Sequence, residues 1–382
     1  MLGLYIHVPF CLKKCSYCSF FSVPRTEQVL RIKFLEGLEY EIQLRFKEVL
    51  AGVSSLFIGG GTPTVLETEE LERILKAIHA RFEFAPPDLA VEKTVEANPG
   101  TLTSEKLAVL KKYGINRISL GAQSFTDSVL KTIGRSHRAS DITRSVKLIR
   151  DHKIDNLNLD LIFGLPGQNI LDWEKTLRQA VALEPEHLSL YALSVDEGTP
   201  LWHQVNADRN NLLQIPDDDL QADMYDLAVE YLKSRGYSHY EISNFALPGY
   251  ECRHNLSYWE AKDYIGVGPG AVSSQQKTRT KNIENIYGYW ARLKKGVMPI
   301  ESSETLSEDQ ILFEYIMLGL RTAKGIDKEL FARKFGCDIR DIYGEVLSDY
   351  KKKKFLLEED GRIRIHPSYY FVANSIISGF LR

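Results

Sequence analysis

The chain has 382 residues, 44% of them hydrophobic, and a formal net charge of -3 at pH 7. This length allows a large core and roughly two or three domains. The nearly balanced charge excludes a strongly basic surface, so we expect no nucleic-acid partner. The first residues do not show the basic segment followed by an apolar stretch that is typical of a signal peptide, and no apolar run approaches the roughly 18 residues of a membrane-spanning helix. We therefore expect a cytoplasmic protein with no integral membrane segment.

Short apolar runs alternate with segments of helical periodicity, which predicts βα units and a mostly parallel sheet. Strands are expected at residues 3–9, 53–59, 90–97, 115–121, 156–163, 187–194 and 239–245. Helices are expected at residues 68–82, 104–113, 140–152, 171–183 and 217–235, several of which begin with a Ser, Thr or Asp suited to N-capping. The predicted fold class is α/β, with a partial (β/α) TIM-like barrel of about six βα units.

The rhythm of strands and helices suggests three parts. We assign the barrel to residues 1–250, an extension to residues 251–300 and a C-terminal domain to residues 301–382. The polar stretch at residues 273–286 is expected to be a linker or surface loop. The last part contains helices followed by a hairpin-like pair of short strands, which predicts a winged-helix-like domain.

Three of the five cysteines, Cys11, Cys15 and Cys18, follow the first predicted strand. An odd number of cysteines with three clustered makes a poor disulfide framework, whereas metal binding suits them. Thiolates select zinc, copper(I) or iron–sulfur clusters. Three thiolates do not complete a four-coordinate zinc site, although His7 could be a fourth ligand. A cubane cluster on three cysteines would leave one iron for an external ligand with an amine and a carboxylate.

Polar or glycine-rich residues come at the ends of other predicted strands. The glycines at residues 59–61 would let the backbone approach a ligand closely, although they also suit an ordinary tight turn. Glu96 and Gln123 come at or after the ends of the third and fourth strands, and Asp160 lies within the fifth. Because parallel strands end at the same rim of a barrel, these residues are expected to meet there.

The CxxxCxxC spacing after a first strand resembles the signature of radical S-adenosylmethionine (SAM) enzymes. The chain is similar to the group that includes oxygen-independent coproporphyrinogen oxidases and HemW-type haem chaperones in LYIHVPFCLKKCSYC, GGGTPT, VEANPGTL, RISLGAQSF, GRSHRA and LDLIFGLPGQ. The resemblance implies a [4Fe–4S] cluster on Cys11, Cys15 and Cys18. It also implies SAM binding by Tyr5, Tyr17, Gly60, Gly61, Thr62, Glu96, Gln123, Arg135 and Asp160.

The chemistry of these residue types suits SAM. Arg135 can pair with the methionyl carboxylate, and Glu96 can accept hydrogen bonds from the amine. Gln123 and Asp160 can hold ribose hydroxyls. Each residue alone could equally be a surface charge or a buried strand residue, but together they favour a SAM site. The pattern indicates a site and leaves open whether SAM is cleaved.

Two features favour the haem chaperones within this group. The oxidase has a further Cys two residues after the third cluster ligand, where this chain has Phe20. The oxidase also has an extension before its first strand, whereas this chain starts almost directly on the strand. Both differences argue against the alternative function, oxidative decarboxylation of coproporphyrinogen. A third and weaker alternative is a zinc-stabilised binding module.

The segment His254-Asn255-Leu256-Ser257-Tyr258-Trp259 matches the HNxxYW motif of the haem chaperones. The resemblance implies haem binding here, with Cys252 or His254 as an axial ligand and with Tyr258 and Trp259 packed on the porphyrin. Without the resemblance, a lone His beside Tyr and Trp would more simply be structural. The implied partners are haem and apo-haem proteins of the respiratory chain, and we expect a monomer or homodimer.

Overall fold

A computed structural model describes residues 2–45, 52–85, 91–208 and 212–381. The strands, in chain order, are β1 (Leu2–Val8), β2 (Phe10–Cys11), β3 (Val23–Pro24), β4 (Val53–Gly60), β5 (Glu92–Ala97), β6 (Arg117–Gln123), β7 (Asn156–Phe163), β8 (His187–Ala192), β9 (Ser238–Glu241), β10 (Asn244–Ala246), β11 (Tyr264–Val267), β12 (Val272–Gln275), β13 (Thr278–Asn282), β14 (Ile300–Thr305), β15 (Ile326–Asp327), β16 (Leu356–Glu359) and β17 (Arg362–Ile365). The helices are α1 (Gln28–Arg45), α2 (Thr68–His79), α3 (Ser104–Lys112), α4 (Asp127–Thr132), α5 (Ala139–Asp151), α6 (Ile170–Val181), α7 (Pro200–Ala207), α8 (Asp218–Ser234), α9 (Arg253–Trp259), α10 (Ile286–Lys294), α11 (Glu308–Leu320), α12 (Lys328–Phe335), α13 (Ile339–Lys352) and α14 (Ala373–Ser378).

Parallel strands β1, β4, β5, β6, β7 and β8 are neighbours in that order at the centre of a 12-stranded sheet. These are the strands that the sequence predicted, with ends shifted by at most two residues. Residue 90, the predicted start of the third strand, lies outside the described residues. Helices separate consecutive strands. The side chain of Asp217 caps α8 as expected, whereas α3 is capped by Thr103 instead of Ser104. The predicted α/β partial barrel is confirmed.

The large sheet continues beyond the barrel on both edges. β11 pairs with β1 in parallel, and β12, β13 and β14 follow in antiparallel pairing. The stretch at residues 273–286 is therefore not a linker or surface loop, because most of its backbone pairs within this sheet. At the other edge, the single strand predicted at residues 239–245 is instead the antiparallel pair β9 and β10.

A buried carboxylate connects α1 to the strands that follow β11. One oxygen of Glu41 accepts hydrogen bonds from Arg45 Nε at 2.8 Å and Asn282 Nδ2 at 2.7 Å. The other accepts from the Gly268 backbone N–H at 2.8 Å and the Tyr289 hydroxyl at 2.6 Å. The Glu41 side chain is fully buried, so these donors replace the water that the charge loses on folding.

The C-terminal helices pack around a small sheet of order β15–β17–β16. The predicted strand pair is confirmed as the β16–β17 hairpin, which reverses between Glu359 and Arg362. The element order helix, strand, two helices and hairpin is winged-helix-like. Within the described ranges, we found no helix that combines the length and hydrophobicity required to cross a bilayer.

Candidate functional site

The carboxyl ends of the parallel strands surround a cavity of about 460 Å³, which we call the rim cavity. Its lining includes almost every residue that the sequence assigned to the cluster or to SAM, namely Cys11, Cys15, Tyr17, Cys18, Gly60, Gly61, Thr62, Glu96, Gln123, Arg135 and Asp160. Tyr5 is the exception, because it lines a neighbouring cavity. Residues from five strands and three loops thus meet at one rim, as the barrel rule predicts.

The cysteine loop is anchored at both ends by backbone hydrogen bonds. β2 pairs with β3, so that the Arg25 N–H donates to the Cys11 carbonyl at 3.0 Å. In the middle of the loop, the Ser16 N–H donates to the Ile133 carbonyl at 3.1 Å, and the Leu201 N–H donates to the Ser16 carbonyl at 2.8 Å. These contacts hold the three thiols toward the rim cavity.

The thiols lie in a partly desolvated and cationic setting. Burial raises the pKa of the Cys11 and Cys18 thiols, so metal binding would release their protons. The Arg135 Nη1 donates to the Cys15 sulfur at 3.5 Å. Among the described residues, no three His, Cys, Asp or Glu side chains surround a point suited to a single metal ion.

Arg135 is half-buried, lines the rim cavity and is held by neutral oxygens. Its Nη2 donates to Asn98 Oδ1 at 2.7 Å and to the Gly121 carbonyl. Within the described chain, Arg135 Nε and Gln123 Oε1 are buried without a hydrogen-bond partner. Because buried polar atoms are normally paired, these two atoms indicate the place of a polar ligand.

Two acidic residues line the rim cavity on either side of β6, Glu96 on β5 and Asp160 on β7. Burial, and secondarily the charge of Asp160, raise the pKa of Glu96 to about 8. Glu96 accepts a hydrogen bond from the Gly60 N–H at 3.0 Å. Ser119 and Asn158 donate to Asp160 at 3.0 and 2.7 Å. We therefore expect the Glu96 carboxyl to be protonated without a ligand. It would lose this proton and accept a hydrogen bond when a cationic group of a ligand binds beside it.

The glycine-rich turn after β4 fits tightly under the cysteine loop. The Gly61 N–H donates to the Val8 carbonyl at 2.9 Å, and the Thr62 N–H donates to the Phe10 carbonyl at 2.7 Å. A Cβ on Gly61 would lie 2.5 Å from the Phe10 carbonyl oxygen. Gly60 has φ +106, a conformation that favours glycine. The glycines are thus needed for backbone packing, besides any contact with a ligand.

We expect Gly61→Ala to lower the free energy of unfolding by about 1–3 kcal/mol, because a rigid backbone group opposes the new methyl. Gly344→Ala is the matched control, since a Cβ on this α13 residue would meet nothing within 4 Å. The control should leave stability unchanged or raise it by up to about 1 kcal/mol. Urea unfolding of both apoproteins measures the difference. Equal midpoints for the two variants would refute the tight packing under the cysteine loop.

Comparisons with known proteins agree with this architecture. The Radical SAM superfamily matches residues 5–180, and the HemN C-terminal domain matches residues 306–368. "Heme chaperone HemW" of Lactococcus lactis subsp. lactis (strain IL1403) is 36% identical and covers 99% of this chain and 96% of its own length. The protein of the same name from Bacillus subtilis (strain 168) is 34% identical and covers 100% of this chain and 99% of its own length. The chain belongs to the HemW family of radical SAM proteins.

A solved structure also resembles this HemW-family chain in fold. It is coproporphyrinogen III oxidase (HemN) from Escherichia coli, a radical SAM enzyme, with a TM-score of 0.86 and 23% sequence identity. The similarity covers 100% of this chain and 90% of that chain. This similarity confirms the predicted fold, and the family match and the relatives described above confirm the predicted resemblance to the radical SAM group.

In this HemW-family chain, Cys252 and His254 contact residues near the amino ends of β5 and β4. Cys252 is completely buried, and its sulfur is 3.4 Å from Glu92 Oε1. The imidazole of His254 is hydrogen-bonded to the Ser55 hydroxyl and the Tyr258 hydroxyl, both at 2.8 Å. Burial lowers the pKa of His254 to about 3, so the ring is neutral. A role for Cys252 or His254 as an iron ligand stays a prediction and would require these contacts to break.

The aromatic residues of the HNxxYW motif have two different environments. Tyr258 lines the same neighbouring cavity as Tyr5. Trp259 is half-buried, and its Nε1 has no hydrogen-bond partner within the described chain. The structure therefore does not bring Cys252, His254, Tyr258 and Trp259 to one open surface.

Asn98 is a site residue whose role sequence reasoning missed. Besides accepting from Arg135, its Nδ2 donates to Thr62 Oγ1 at 2.9 Å. It therefore joins the glycine-rich turn to the arginine. The available signal was its place two residues after Glu96, at the carboxyl end of β5.

Proposed function

We propose that the protein is a haem chaperone that binds a [4Fe–4S] cluster, SAM and haem and delivers haem to apo-haem proteins, including those of the respiratory chain. One observation carries the haem part of this proposal. Relatives that align with 99% or more of this chain bear the name Heme chaperone HemW. The contents of the rim cavity support the cluster and SAM parts.

The proposed ligands of the cluster are Cys11, Cys15 and Cys18, whose thiols line the rim cavity from one anchored loop. Thiolates are the preferred ligands of iron–sulfur clusters. When bound, such a cluster together with SAM supplies one-electron and radical chemistry. The chain itself contributes orientation of the ligands and exclusion of water.

SAM would lie in the same cavity, between Arg135 and Glu96. The partnerless Arg135 Nε could donate to the methionyl carboxylate, and Glu96 could accept from the ammonium group. Gln123, whose Oε1 also lacks a partner in the described chain, and Asp160 are placed for ribose hydroxyls. Tyr5 is less well placed for SAM than the resemblance implied, because its ring lines the neighbouring cavity.

After anaerobic cluster reconstitution, we expect the protein to bind haem stoichiometrically and to form no decarboxylated porphyrin from coproporphyrinogen. Absorbance titration with haem measures binding, and chromatography of the porphyrins measures turnover in the presence of SAM and a reductant. Haem-loaded protein should restore the activity of an apo-haem enzyme. Efficient decarboxylation would overturn the chaperone proposal in favour of the oxidase, and would leave the cluster proposal intact.

A further inference from the structure

Beside the rim cavity lies a second cavity of about 560 Å³, between the strands at the β1 edge of the large sheet and α11. We call it the side cleft; its lining includes Tyr5, Phe20, Tyr258, Tyr264, Arg279 and Lys334. Ser19 and Phe20 line both cavities, so one segment of the cysteine loop separates them. The volume lies within the range of about 300–1,000 Å³ that proteins use for small molecules and cofactors.

The walls of the side cleft are largely aromatic and apolar. Tyr258 and Tyr264 lie edge to face, with ring centroids 4.5 Å apart. Tyr5 is on β1, the strand that pairs with the strand of Tyr264. Ile311 and Leu318 of α11 line the cleft as well. Such walls suit a flat, mainly apolar ligand.

Cationic side chains are available in the side cleft. The charged residues that line the cleft include one more cation than anions. The cations are Lys262, Arg279, Lys281 and Lys334, and the anions are Asp263, Glu284 and Glu314. Arg279 pairs with Glu314 at 2.8 Å, but a guanidinium has five N–H donors and can hold a second acceptor. Within the part of the chain that the structure describes, Lys334 has no carboxylate at ion-pair distance, and its ammonium lies 5.0 Å from the Tyr315 ring centroid. The cleft can therefore accept a ligand that carries carboxylates.

The side cleft also explains why Tyr258 and His254 occur together. Both ring nitrogens of His254 are engaged, one by Ser55 and the other by the Tyr258 hydroxyl. His254 is 1% exposed, so it does not reach the cleft itself. It is a positioning residue that fixes the phenol ring of Tyr258 at the cleft wall.

We propose that the side cleft is the haem site of this protein, and this inference rests on the proposed function. The macrocycle packs against Tyr5, Tyr258 and Tyr264, and the two propionates face Arg279 and Lys334. Haem then lies next to the cysteine loop, separated from the rim cavity by Ser19 and Phe20. The HNxxYW motif contributes a wall of this site through Tyr258 and supports that wall through His254.

Two variants of the side cleft test this inference in absorbance titrations of the cluster-reconstituted protein with haem. The double variant Arg279→Ala/Lys334→Ala removes the cations that would pair with propionates, and we expect haem to bind at least about tenfold more weakly. Ser274→Trp places a large side chain in the cleft from β12, and we expect it to abolish binding. Haem dimethyl ester should bind the wild type and the double variant with equal affinity, because it has no carboxylates.

The matched control is Arg73→Ala. Arg73 pairs with Glu39 at 2.6 Å and is 39% exposed, compared with 38% for Arg279, but it lies on α2. This variant should bind haem as the wild type does. Wild-type affinity for haem in both cleft variants would overturn the side-cleft assignment and leave the haem chaperone proposal standing. Failure of the wild-type protein to bind haem would overturn both.

Discussion

Replacing Cys15 with Ser should abolish assembly of a [4Fe–4S] cluster while leaving the fold intact. A serine hydroxyl is a far poorer ligand for iron than a thiolate, and Cys15 is one of only three proposed protein ligands. The loop should keep its shape, because it is held by backbone bonds such as Ser16 N–H to the Ile133 carbonyl. We expect iron and acid-labile sulfide at background levels after reconstitution, with an unchanged far-ultraviolet circular dichroism spectrum.

Cys337 provides the matched control for this experiment. It is a half-buried free cysteine between α12 and α13, in the C-terminal domain. Cys337→Ser should retain the iron content of the wild type. Equal cluster content in the Cys15→Ser and Cys337→Ser proteins would show that the proposed ligand set is wrong.

Substituting Glu96 with Gln should stabilise the apoprotein, and increasingly so as the pH rises. Burial raises the pKa of this carboxyl from 4.5 to about 8, so the folded state retains a proton that the unfolded state loses in this range. The contribution of Glu96 to the free energy of unfolding therefore decreases as the pH rises from 4.5 to about 8. Above about pH 8 this contribution no longer changes. Gln lacks this penalty and can still accept from the Gly60 N–H. From the size of this pKa shift, we expect the free energy of unfolding of Glu96→Gln to exceed that of the wild type by up to about 5 kcal/mol at pH 9 and by about 2 kcal/mol at pH 6.

Urea unfolding of wild type and Glu96→Gln at pH 6 and pH 9 measures this effect. Glu301→Gln, at an exposed position of β14, is the control and should not change stability at either pH. The stabilised Glu96→Gln protein should bind SAM at least about tenfold more weakly after cluster reconstitution, because a charge-assisted hydrogen bond is lost. A stability difference that is the same at both pH values would contradict the buried, protonated state of Glu96.

The parallel strands could be predicted from the sequence because the protein covers both of their faces. Leu157, Leu159 and Leu161 of β7 are all fully buried, and such strands appear as apolar runs bounded by polar turns. The turn between β9 and β10 was missed because residues 242–243 are Ile-Ser, without the Gly or Pro that usually marks a reversal. The polar strands β12 and β13 were missed because what defines them is pairing with β11 and β14.

The rim cavity was largely predictable for a similar reason. Cys11, Glu96 and Asp160 lie on or next to parallel strands, and such strands bring their carboxyl ends to one place. The environment of His254 was not predictable, because its partner Ser55 comes from a strand 199 residues away in the chain. The orientation of the Tyr5 side chain toward the side cleft was also not predictable, because the cleft is formed by edge strands and by α11, which come much later in the chain.

The four donors around Glu41 limit how this protein can be shortened. A fragment that ended near residue 250 would retain Arg45 but would lose Gly268, Asn282 and Tyr289. The buried Glu41 side chain would then keep only one of its four hydrogen-bond donors. Removal of partners from a buried charge costs about 3–5 kcal/mol, a large part of the stability of a typical domain. Truncated versions intended for spectroscopy of the iron centre should therefore keep the chain through β14, since the first helix acquires its last partners only after most of the protein has been synthesised.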